Sequence, residues 1–157
     1  MLGYGLSNDA SHITRPSVQG QAQAMRAALQ SAGIGTRDID AINAHGTGTQ
    51  ANDATETAAL KAVFGARAHE IPVSATKAMH GHLLGAAGAL EAVLSLLAMQ
   101  QAVALPTMHL QQADPECDLD YVANAARHGF AARTMLSNSF AFGGTNAVLV
   151  LRSAQAS

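Results

Sequence analysis

The chain of 157 residues has little of several residue types that particular functions require. It has no tryptophan, a single cysteine and an aromatic content of only 4%. One cysteine excludes an intramolecular disulfide and a cysteine-rich zinc site. Nine Lys and Arg residues and few aromatic rings argue against a broad nucleic-acid surface, which needs clustered cations and stacking platforms. The N-terminus shows no basic segment leading into an apolar one, so a cytoplasmic protein is expected.

The remaining composition is that of an ordinary globular protein, with 48% hydrophobic residues and a formal charge of −2. The length suffices for one domain with a hydrophobic core. Neither a repeat nor a linker nor a low-complexity tract interrupts the sequence. Residues 1–157 are therefore predicted to form a single domain.

The most apolar segment, residues 83–99, has about the minimum length of a membrane span. It carries Glu91 at its centre and is flanked by His80 and His82, which favours a buried helix instead of a membrane helix. A chain of this size has few elements to cover such a helix on every side. Part of its cover is expected to come from outside the chain.

Hydrophobic spacing and stop signals predict helices that alternate with short strands in the first two-thirds of the chain. The predicted elements are a helix from Val18 to Gly33, a strand over residues 39–44, a helix opened by a capping box at Asp53 and Glu56 and ending at Phe64, a strand over residues 71–74, and the apolar helix from about His82. His45 and His82 would then lie where a strand gives way to a helix, which is where α/β folds place their ligands.

The last third is predicted to be richer in strands than in helices. The predicted elements are a strand over residues 102–107, a loop over 108–116, a short strand over 119–122, and a hairpin of residues 135–140 and 146–151. The hairpin turn contains Gly143 and Gly144, which allow positive φ angles. The prediction for the whole chain is an α/β domain with a mixed sheet.

Three short motifs concentrate the chemically active side chains. They are AHGTGT at residues 44–49, ATKAMHGH at 75–82 and FAFGGTN at 140–146. They contain His45, His82 and Lys77, and neutral imidazoles that donate Nε2–H can stabilise negative charge on a thioester oxygen. A nucleophile to carry an acyl group is missing, because Cys117 lies between carboxylates that raise the pKa of a thiol.

The spacing of His80 and His82 is also compatible with a zinc site. Four tetrahedral ligands are needed, and neither Cys117 nor the other histidines form a second cluster. No metal site is therefore predicted, and His80 is interpreted as a pocket-wall or surface residue.

In this order and spacing, the three motifs resemble the carboxy-terminal half of the β-ketoacyl-acyl carrier protein synthases, the condensing enzymes of fatty acid and polyketide synthesis. The resemblance runs from residues 3–16, through the motifs and residues 117–122, to the final strand. It implies a thiolase-like α/β fold, of which this chain is one βαβαβ-type half with a mixed sheet and a buried apolar helix. The amino-terminal half, where the family carries its nucleophilic cysteine, is not in this sequence.

The resemblance also implies catalytic roles. His45 and His82 match the histidines of the family's Cys-His-His triad, and Lys77 matches a lysine held by a carboxylate, for which Glu91 is the candidate. The backbone N–H of Phe142 matches an oxyanion-hole donor, and its ring matches a gate to the acyl pocket. The alternatives are a purely structural ion pair between Lys77 and Glu91 and a Phe142 ring that packs on the core.

Other positions match substrate contacts and supporting residues of the family. Thr47 and Thr49 match contacts to the phosphopantetheine arm, although hydroxyls at these positions can also close a turn or cap the next helix. Thr14 matches the mouth of the pantetheine tunnel, and Phe140 and Gly143 complete the expected substrate contacts. The residues that match a structural monovalent or divalent cation site in some relatives are Asn43, Glu91, Ser137 and Asn138.

The implied function is decarboxylative Claisen condensation of an acyl thioester with malonyl-ACP. One alternative is a non-condensing subunit of the chain-length-factor type, which the intact histidines and lysine disfavour. The other is a thiolase or an acetyl-CoA-priming synthase, which the Lys77 motif disfavours; a thiolase would also be expected to carry a base cysteine in this half.

The resemblance extends to cofactors and partners. No covalently bound cofactor is expected, because the substrate is carried on phosphopantetheine. The expected partners are acyl carrier protein, for which Arg15 is a candidate contact, the amino-terminal half of the synthase, and a second copy in a homodimer. Neither nucleic acid nor a membrane is expected, and the chain by itself is predicted to be inactive because it lacks the nucleophile.

Overall fold

A computed structural model describes residues 1–154 and contains a five-stranded sheet with helices on both faces. The strands of the sheet are β1 (Gly3–Asn8), β2 (Ala41–Asn43), β3 (Val73–Ser74), β6 (Thr134–Phe140) and β7 (Thr145–Arg152), and a separate antiparallel ribbon consists of β4 (Val103–Ala104) and β5 (Arg127–His128). The order in the sheet is β1-β7-β6-β2-β3. β6, β2 and β3 are parallel, and β7 is antiparallel to both of its neighbours, which confirms the predicted mixed sheet.

Helices α1 (Val18–Ala32) and α2 (Gln50–Phe64) cover one face of the sheet, and α4 (Ala87–Gln100) covers the other. The larger core lies under α1 and α2 and includes Met25, Ile42, Leu60, Leu136 and Val148. The core under α4 is smaller and includes Ala41, Met99, Met135 and Leu151. Within residues 1–154, no helix has the length and apolar character needed to cross a bilayer.

Helix α1 begins and ends as its sequence predicts. Ser17 has extended backbone angles and its side chain accepts a hydrogen bond from the backbone N–H of Gly20 at 3.2 Å, as an N-cap does. Gly33 adopts the left-handed conformation with φ 65°, and its N–H bonds to carbonyls of the last turn. The apolar residues between these caps recur at helical spacing and face the sheet.

The helix that follows β2 begins earlier than the sequence suggests. The predicted capping box at Asp53 and Glu56 is wrong, because Thr49 is the N-cap and its side chain accepts a hydrogen bond from the backbone N–H of Asn52. Asp53 lies in the first turn, and the Glu56 side chain is buried beneath the loop that follows β2. The predicted end at Phe64, followed by Gly65, is confirmed.

The apolar helix begins later than predicted, and the described chain buries only part of it. A short helix α3 (Lys77–His80) and a 3-10 turn at Leu84–Ala86 precede α4, because Gly81 and Leu84 have positive φ angles that interrupt a continuous helix. Ala87, Glu91, Ser95, Ala98 and Met99 are buried, whereas apolar residues on the outer face are exposed. The exposed members are Val93 (52%), Leu96 (38%) and Leu97 (47%). The described chain thus covers one face of the apolar helix, and the exposed outer face agrees with the expectation that part of its cover comes from outside the chain.

Most of the remaining strand predictions need correction. The predicted strands over residues 39–44, 71–74 and 102–107 shorten to β2, β3 and β4, and residues 119–122 form no strand. This last segment is held by single hydrogen bonds, from Val73 N to Asp120 O and from Thr107 N to Val122 O, and Val122 has a positive φ. The predicted hairpin of β6 and β7 is confirmed, with Gly143 and Gly144 in its turn at φ 77° and 78°.

Strand β1 has no counterpart among the predicted elements, because glycines stand where apolar side chains would reveal it. Gly5 faces α1 so closely that a Cβ atom would lie 2.1 Å from the carbonyl oxygen of Ala24 and 2.4 Å from the nitrogen of Ala28. These neighbours are backbone atoms that cannot rotate away. Glycine at this position therefore allows α1 to pack directly on β1.

We expect Gly5→Ala to lower the free energy of unfolding by about 1–3 kcal/mol or more, since the added methyl group must push α1 off β1. Urea denaturation followed by circular dichroism measures the change. Gly35→Ala is the matched control, because its Cβ would meet only Asp38 Oδ2 at an ordinary 3.6 Å. Equal midpoints for the two variants would contradict the described packing of α1.

Candidate active site

A cleft of about 800 Å³ opens at the carboxyl ends of β2 and β6. It is lined by the segment after β1, the loop between β2 and α2, the loop between α3 and α4, and the hairpin turn. Because β2 and β6 are parallel neighbours, they deliver His45 and Phe140 to the same edge of the sheet. Residues from all three sequence motifs therefore meet at one cavity.

The two histidines predicted to be catalytic approach each other in this cleft. The ring centroids of His45 and His82 are 5.5 Å apart and their planes are nearly perpendicular, at 83°. His45 is buried, with 8% exposed, whereas His82 is exposed. Burial lowers the pKa of His45 from 6.5 to about 3, helped by the nearby charges of Lys77 and His82, so the His45 ring is neutral at physiological pH.

Contacts to the two Nδ1 atoms determine which ring nitrogen carries the proton. The Lys77 ammonium, which can only donate, lies 3.4 Å from His45 Nδ1. The backbone N–H of Leu84 donates to His82 Nδ1 at 3.1 Å. A neutral imidazole whose Nδ1 accepts a hydrogen bond carries its proton on Nε2. The arrangement can therefore present two Nε2–H donors to a ligand in the cleft.

Lys77 and Glu91 form the ion pair that the sequence predicts, and the pair is buried. Lys77 Nζ lies 2.5 Å from Glu91 Oε1 and donates to the carbonyl oxygen of His45 at 2.6 Å. The side chains of Lys77 and Glu91 are 4% and 1% exposed. Burial raises the pKa of Glu91, and the Lys77 ammonium opposes that rise. One ammonium thus joins α3, α4 and the loop that follows β2.

A second buried carboxylate, Glu56, holds the same loop from the other side. Its Oε1 accepts from the backbone N–H of His45 at 2.9 Å and from Asn138 Nδ2 at 3.0 Å, and its Oε2 accepts from the backbone N–H of Gly46 at 2.9 Å. Burial raises the pKa of Glu56, while these hydrogen bonds lower it. The backbone that carries the His45 imidazole is therefore bonded to α2 as well as to Lys77.

Sequence reasoning missed Glu56 as a site residue because it assigned the residue to a capping box. The sequence did contain a signal that Glu56 is buried, because apolar Leu60 lies four residues further along α2 and therefore on the same face. A carboxylate on the buried face of a helix is costly unless hydrogen-bonded, which is the argument that identified Glu91.

The four residues proposed for a cation site do not all present their side chains to the same face of the sheet. Asn43 and Ser137 are register partners on the α4 face of the sheet, and Asn43 Nδ2 donates to Glu91 O at 3.3 Å and Ser95 Oγ at 3.2 Å. Asn138, one residue after Ser137, points to the opposite face and donates to Glu56. The side chains of the predicted set are therefore divided between the two faces of the sheet, and a cation site at these residues stays a prediction.

The threonines predicted to bind substrate lie on the cleft. Thr47 and Thr49 line it, and their hydroxyl oxygens are 2.8 Å apart. Thr49 also caps α2, so it has the structural role that the sequence left open as an alternative. Thr14 is exposed and lines the cleft, and its backbone N–H donates to His12 Nδ1 at 3.1 Å.

The two aromatic residues at the hairpin turn both line the cleft but differ in exposure. Phe140 is buried, and its ring centroid lies 5.9 Å from that of His45. Phe142 is 80% exposed, so the alternative that its ring packs on the core is wrong for the described chain. The backbone N–H of Gly143 donates to Ile13 O at 2.8 Å, which joins the turn to the segment after β1 and occupies this N–H.

Cys117 and His80 lie apart from the histidine pair. Burial and the carboxylates of Asp114, Asp53 and Glu116 raise the pKa of the Cys117 thiol, which disfavours the reactive thiolate, although a hydrogen bond with Thr57 opposes the rise. His80 contacts the carbonyl oxygen of Gly81 and the hydroxyl of Thr76. Among residues 1–154, no group of three or more His, Cys, Asp or Glu side chains is arranged to hold a metal ion.

Comparisons with known proteins agree with this geometry. A family model for the beta-ketoacyl synthase, C-terminal domain, matches residues 1–111. The chain is 50% identical over 152 residues to nodulation protein E of Rhizobium meliloti, covering 97% of this chain and 38% of that protein. It is 50% identical over 153 residues to 3-oxoacyl-acyl-carrier-protein synthase 2 of Coxiella burnetii, covering 96% and 37%. The solved ishigamide ketosynthase/chain length factor matches with a TM-score of 0.94 at 45% identity, covering 98% and 38%.

The chain therefore belongs to the β-ketoacyl synthase family, and it corresponds to the carboxy-terminal part of such a synthase. Its fold is thiolase-like, as the sequence resemblance implies. The chain spans about 38% of the length of the curated relatives it matches.

We expect the His45 imidazole to stay neutral from pH 8 down to pH 5, because its pKa is lowered to about 3. Its proton should reside on Nε2 throughout. Long-range proton-nitrogen NMR spectra of the protein across this range measure both properties, and a His45→Gln variant assigns the signal by its loss. A titration midpoint near the ordinary value of 6.5 would contradict the described burial of the ring.

Proposed function

We propose that the chain is the carboxy-terminal catalytic half of a 3-oxoacyl-acyl carrier protein synthase, which condenses an acyl thioester with malonyl-ACP. One observation carries the proposal: two imidazoles meet at one cleft, and each has its Nδ1 engaged so that Nε2–H can donate. Within residues 1–154, neither Nε2 has a protein hydrogen-bond partner. The family membership and the name of the similar Coxiella burnetii synthase support an acyl carrier thioester as the substrate class.

In this mechanism the malonyl thioester binds with its carbonyl oxygen between the Nε2–H groups of His45 and His82. The bond to the terminal carboxylate breaks, CO₂ leaves, and the electron pair becomes an enolate whose charge falls on that oxygen. The enolate carbon then attacks the carbonyl of an acyl group carried as a thioester on the nucleophilic cysteine of the amino-terminal half. A carbon–carbon bond forms, the carbon–sulfur bond breaks, and the cysteine leaves as thiolate.

Lys77 serves this chemistry by keeping His45 in the useful protonation state. An ammonium next to Nδ1 disfavours imidazolium and favours the tautomer with the proton on Nε2. The Glu91 carboxylate balances the buried positive charge. The ion pair of Lys77 and Glu91 thus serves both roles that the sequence left open. It holds the fold together, and it tunes the protonation state of His45.

The rest of the cleft suits the arm and the acyl chain of the substrate. The hydroxyls of Thr47 and Thr49 are placed to contact the amide-rich phosphopantetheine arm, with Thr14 at the entrance. The exposed ring of Phe142 is placed to gate an acyl pocket, and its backbone N–H is the candidate oxyanion donor for the acyl-cysteine. The buried ring of Phe140 packs edge-on against the His45 ring.

Residues 1–157 are proposed to be one domain that works with three partners: the amino-terminal half, a second copy, and acyl carrier protein. The exposed Val93, Leu96 and Leu97 of α4 support the first, since an apolar helix face needs cover and the matched relatives are far longer. Arg15, which lines the cleft, is the candidate contact for the acidic carrier. We expect the complete protein to be cytoplasmic.

In the complete enzyme, His45→Ala or His82→Ala should slow malonyl decarboxylation about a hundredfold or more, because each removes an oxyanion donor. Release of CO₂ from labelled malonyl-ACP measures this step apart from condensation. His69→Ala is the control, because His69 is exposed and lies outside the cleft. Near-normal decarboxylation in both single variants would contradict the assigned roles.

The isolated 157-residue chain should form no ketoacyl product from acyl and malonyl donors, because it has no acyl-accepting thiolate. It should also self-associate through the uncovered face of α4. Light scattering is expected to report a dimer or larger species, and a Val93→Gln, Leu97→Gln double variant should shift it toward the monomer. A monomeric wild-type chain that condenses the donors would contradict both statements.

A further inference from the structure

A second cavity lies at the edge of the sheet opposite the candidate active site. It occupies about 590 Å³ where β2 and β6 begin and β7 ends. Three arginines line it: Arg37 just before β2, Arg133 just before β6, and Arg152 at the end of β7. The chain has only nine Lys and Arg residues in total, so a third of its cations meet at one place that the condensation chemistry does not use.

The backbone around this cavity is held by hydrogen bonds that cross between elements. The Arg67 guanidinium donates to the carbonyl oxygens of Arg37, at 3.3 Å, and Ile39, at 2.7 Å. On the other side, Asp40 Oδ2 accepts from the backbone N–H of Arg133 at 2.7 Å. Asp40 Oδ2 also accepts from the next N–H, that of Thr134, at 2.9 Å. The segments that carry Arg37 and Arg133 are therefore each anchored by a charged side chain.

Arg152 is linked to the same cluster. Its Nε lies 3.4 Å from the Thr134 hydroxyl, and the backbone N–H of the next residue, Ser153, donates to Arg133 O at 3.0 Å. Thr134 of β6 lies opposite Arg152 of β7 in the sheet. This register keeps Arg133, the residue before Thr134, close to Arg152. The three arginine side chains thus extend from backbone segments that hydrogen bonds hold in place.

The guanidinium groups of these arginines have no carboxylate within ion-pair distance in the described part of the chain, whose four ion pairs involve other residues. The two aspartates of the cavity are engaged by the backbone: Asp38 Oδ2 accepts from Gly35 N at 2.8 Å, and Asp40 Oδ2 accepts the two bonds described above. Three positive charges against two negative ones leave the cavity with an excess of positive charge. Apart from Arg152 Nε, which donates to the Thr134 hydroxyl, the guanidinium N–H groups have no acceptor among the described residues and remain available to a ligand.

We propose that this cavity binds the phosphate group of a small phosphorylated molecule. Guanidinium groups match phosphate oxygens with paired, charge-assisted hydrogen bonds, and the nearby Thr134 and Ser153 add hydroxyl groups. The concave shape and the small volume suit a low-molecular-weight ligand better than an extended acidic surface. The site is separate from the condensation cleft, so it does not depend on the function proposed above.

Titration calorimetry of the complete protein with inorganic pyrophosphate at low salt tests the proposal. We expect saturable binding that weakens at least tenfold in an Arg133→Gln, Arg152→Gln double variant. Arg26→Gln is the control, because Arg26 is exposed and lines neither cavity, so loss of its guanidinium should leave the affinity unchanged. Raising the salt concentration should weaken binding in the wild type and the control alike.

An Arg133→Lys, Arg152→Lys variant keeps the charge and the fold if the glutamine variant fails to fold. It should still bind pyrophosphate several-fold more weakly than wild type, because lysine lacks the planar fork. Absence of binding to wild type, or equal affinity in the wild type and the lysine variant, would overturn the proposal. Tighter binding of a short polyglutamate peptide than of pyrophosphate, lost in the same variants, would also overturn it in favour of an acidic protein segment.

Discussion

The candidate site depends most on the contacts that the Lys77 ammonium makes. The ammonium binds the Glu91 carboxylate, the carbonyl oxygen of His45 and the Nδ1 side of the His45 ring within one buried cluster. Loss of one partner from a buried ion pair leaves an uncompensated charge and costs about 3–5 kcal/mol. The Lys77 ammonium also favours one tautomer of His45, because a donor at Nδ1 keeps the proton of a neutral ring on Nε2. Folding stability and the proposed chemistry therefore depend on the same few atoms.

Two carboxylates hold His45 from opposite faces of the sheet. Glu56 reaches it from α2 through two backbone N–H groups, and Glu91 reaches it from α4 through Lys77. Burial raises the pKa of both carboxyl groups, so each depends on its hydrogen bonds to remain ionised. Buried polar networks of this kind restrain the groups that they bond, and here Glu91 Oε2 and Asn138 Oδ1 are the network's two oxygens without a hydrogen-bond partner among the described residues. The His45 ring is thereby positioned without relying on the exposed loop that follows it.

Helix α4 buries two polar residues beside its apolar ones and exposes several large apolar side chains. Glu91 and Ser95 face the sheet, while Val93 and Leu97 face outward. The inward polar groups bond to Asn43 and Lys77, which explains why a carboxylate is tolerated there. The outward apolar groups have no such explanation within residues 1–154. Their exposure is consistent with a chain that spans about 38% of its curated relatives and whose apolar helix is proposed to pack on another part of the synthase.

The sequence by itself determined the elements whose signals are local: α1 between Ser17 and Gly33, the hairpin with its paired glycines, and the motifs that identify the family. It also determined that Lys77 would need Glu91, because a buried charge needs a partner. Only the tertiary structure decided that Glu56 binds the His45 backbone, that Asn43 and Asn138 lie on opposite faces, and that β1 exists. These features depend on which strand lies beside which and on how closely a helix approaches a glycine. Such contacts join residues far apart in the chain, so no local pattern records them.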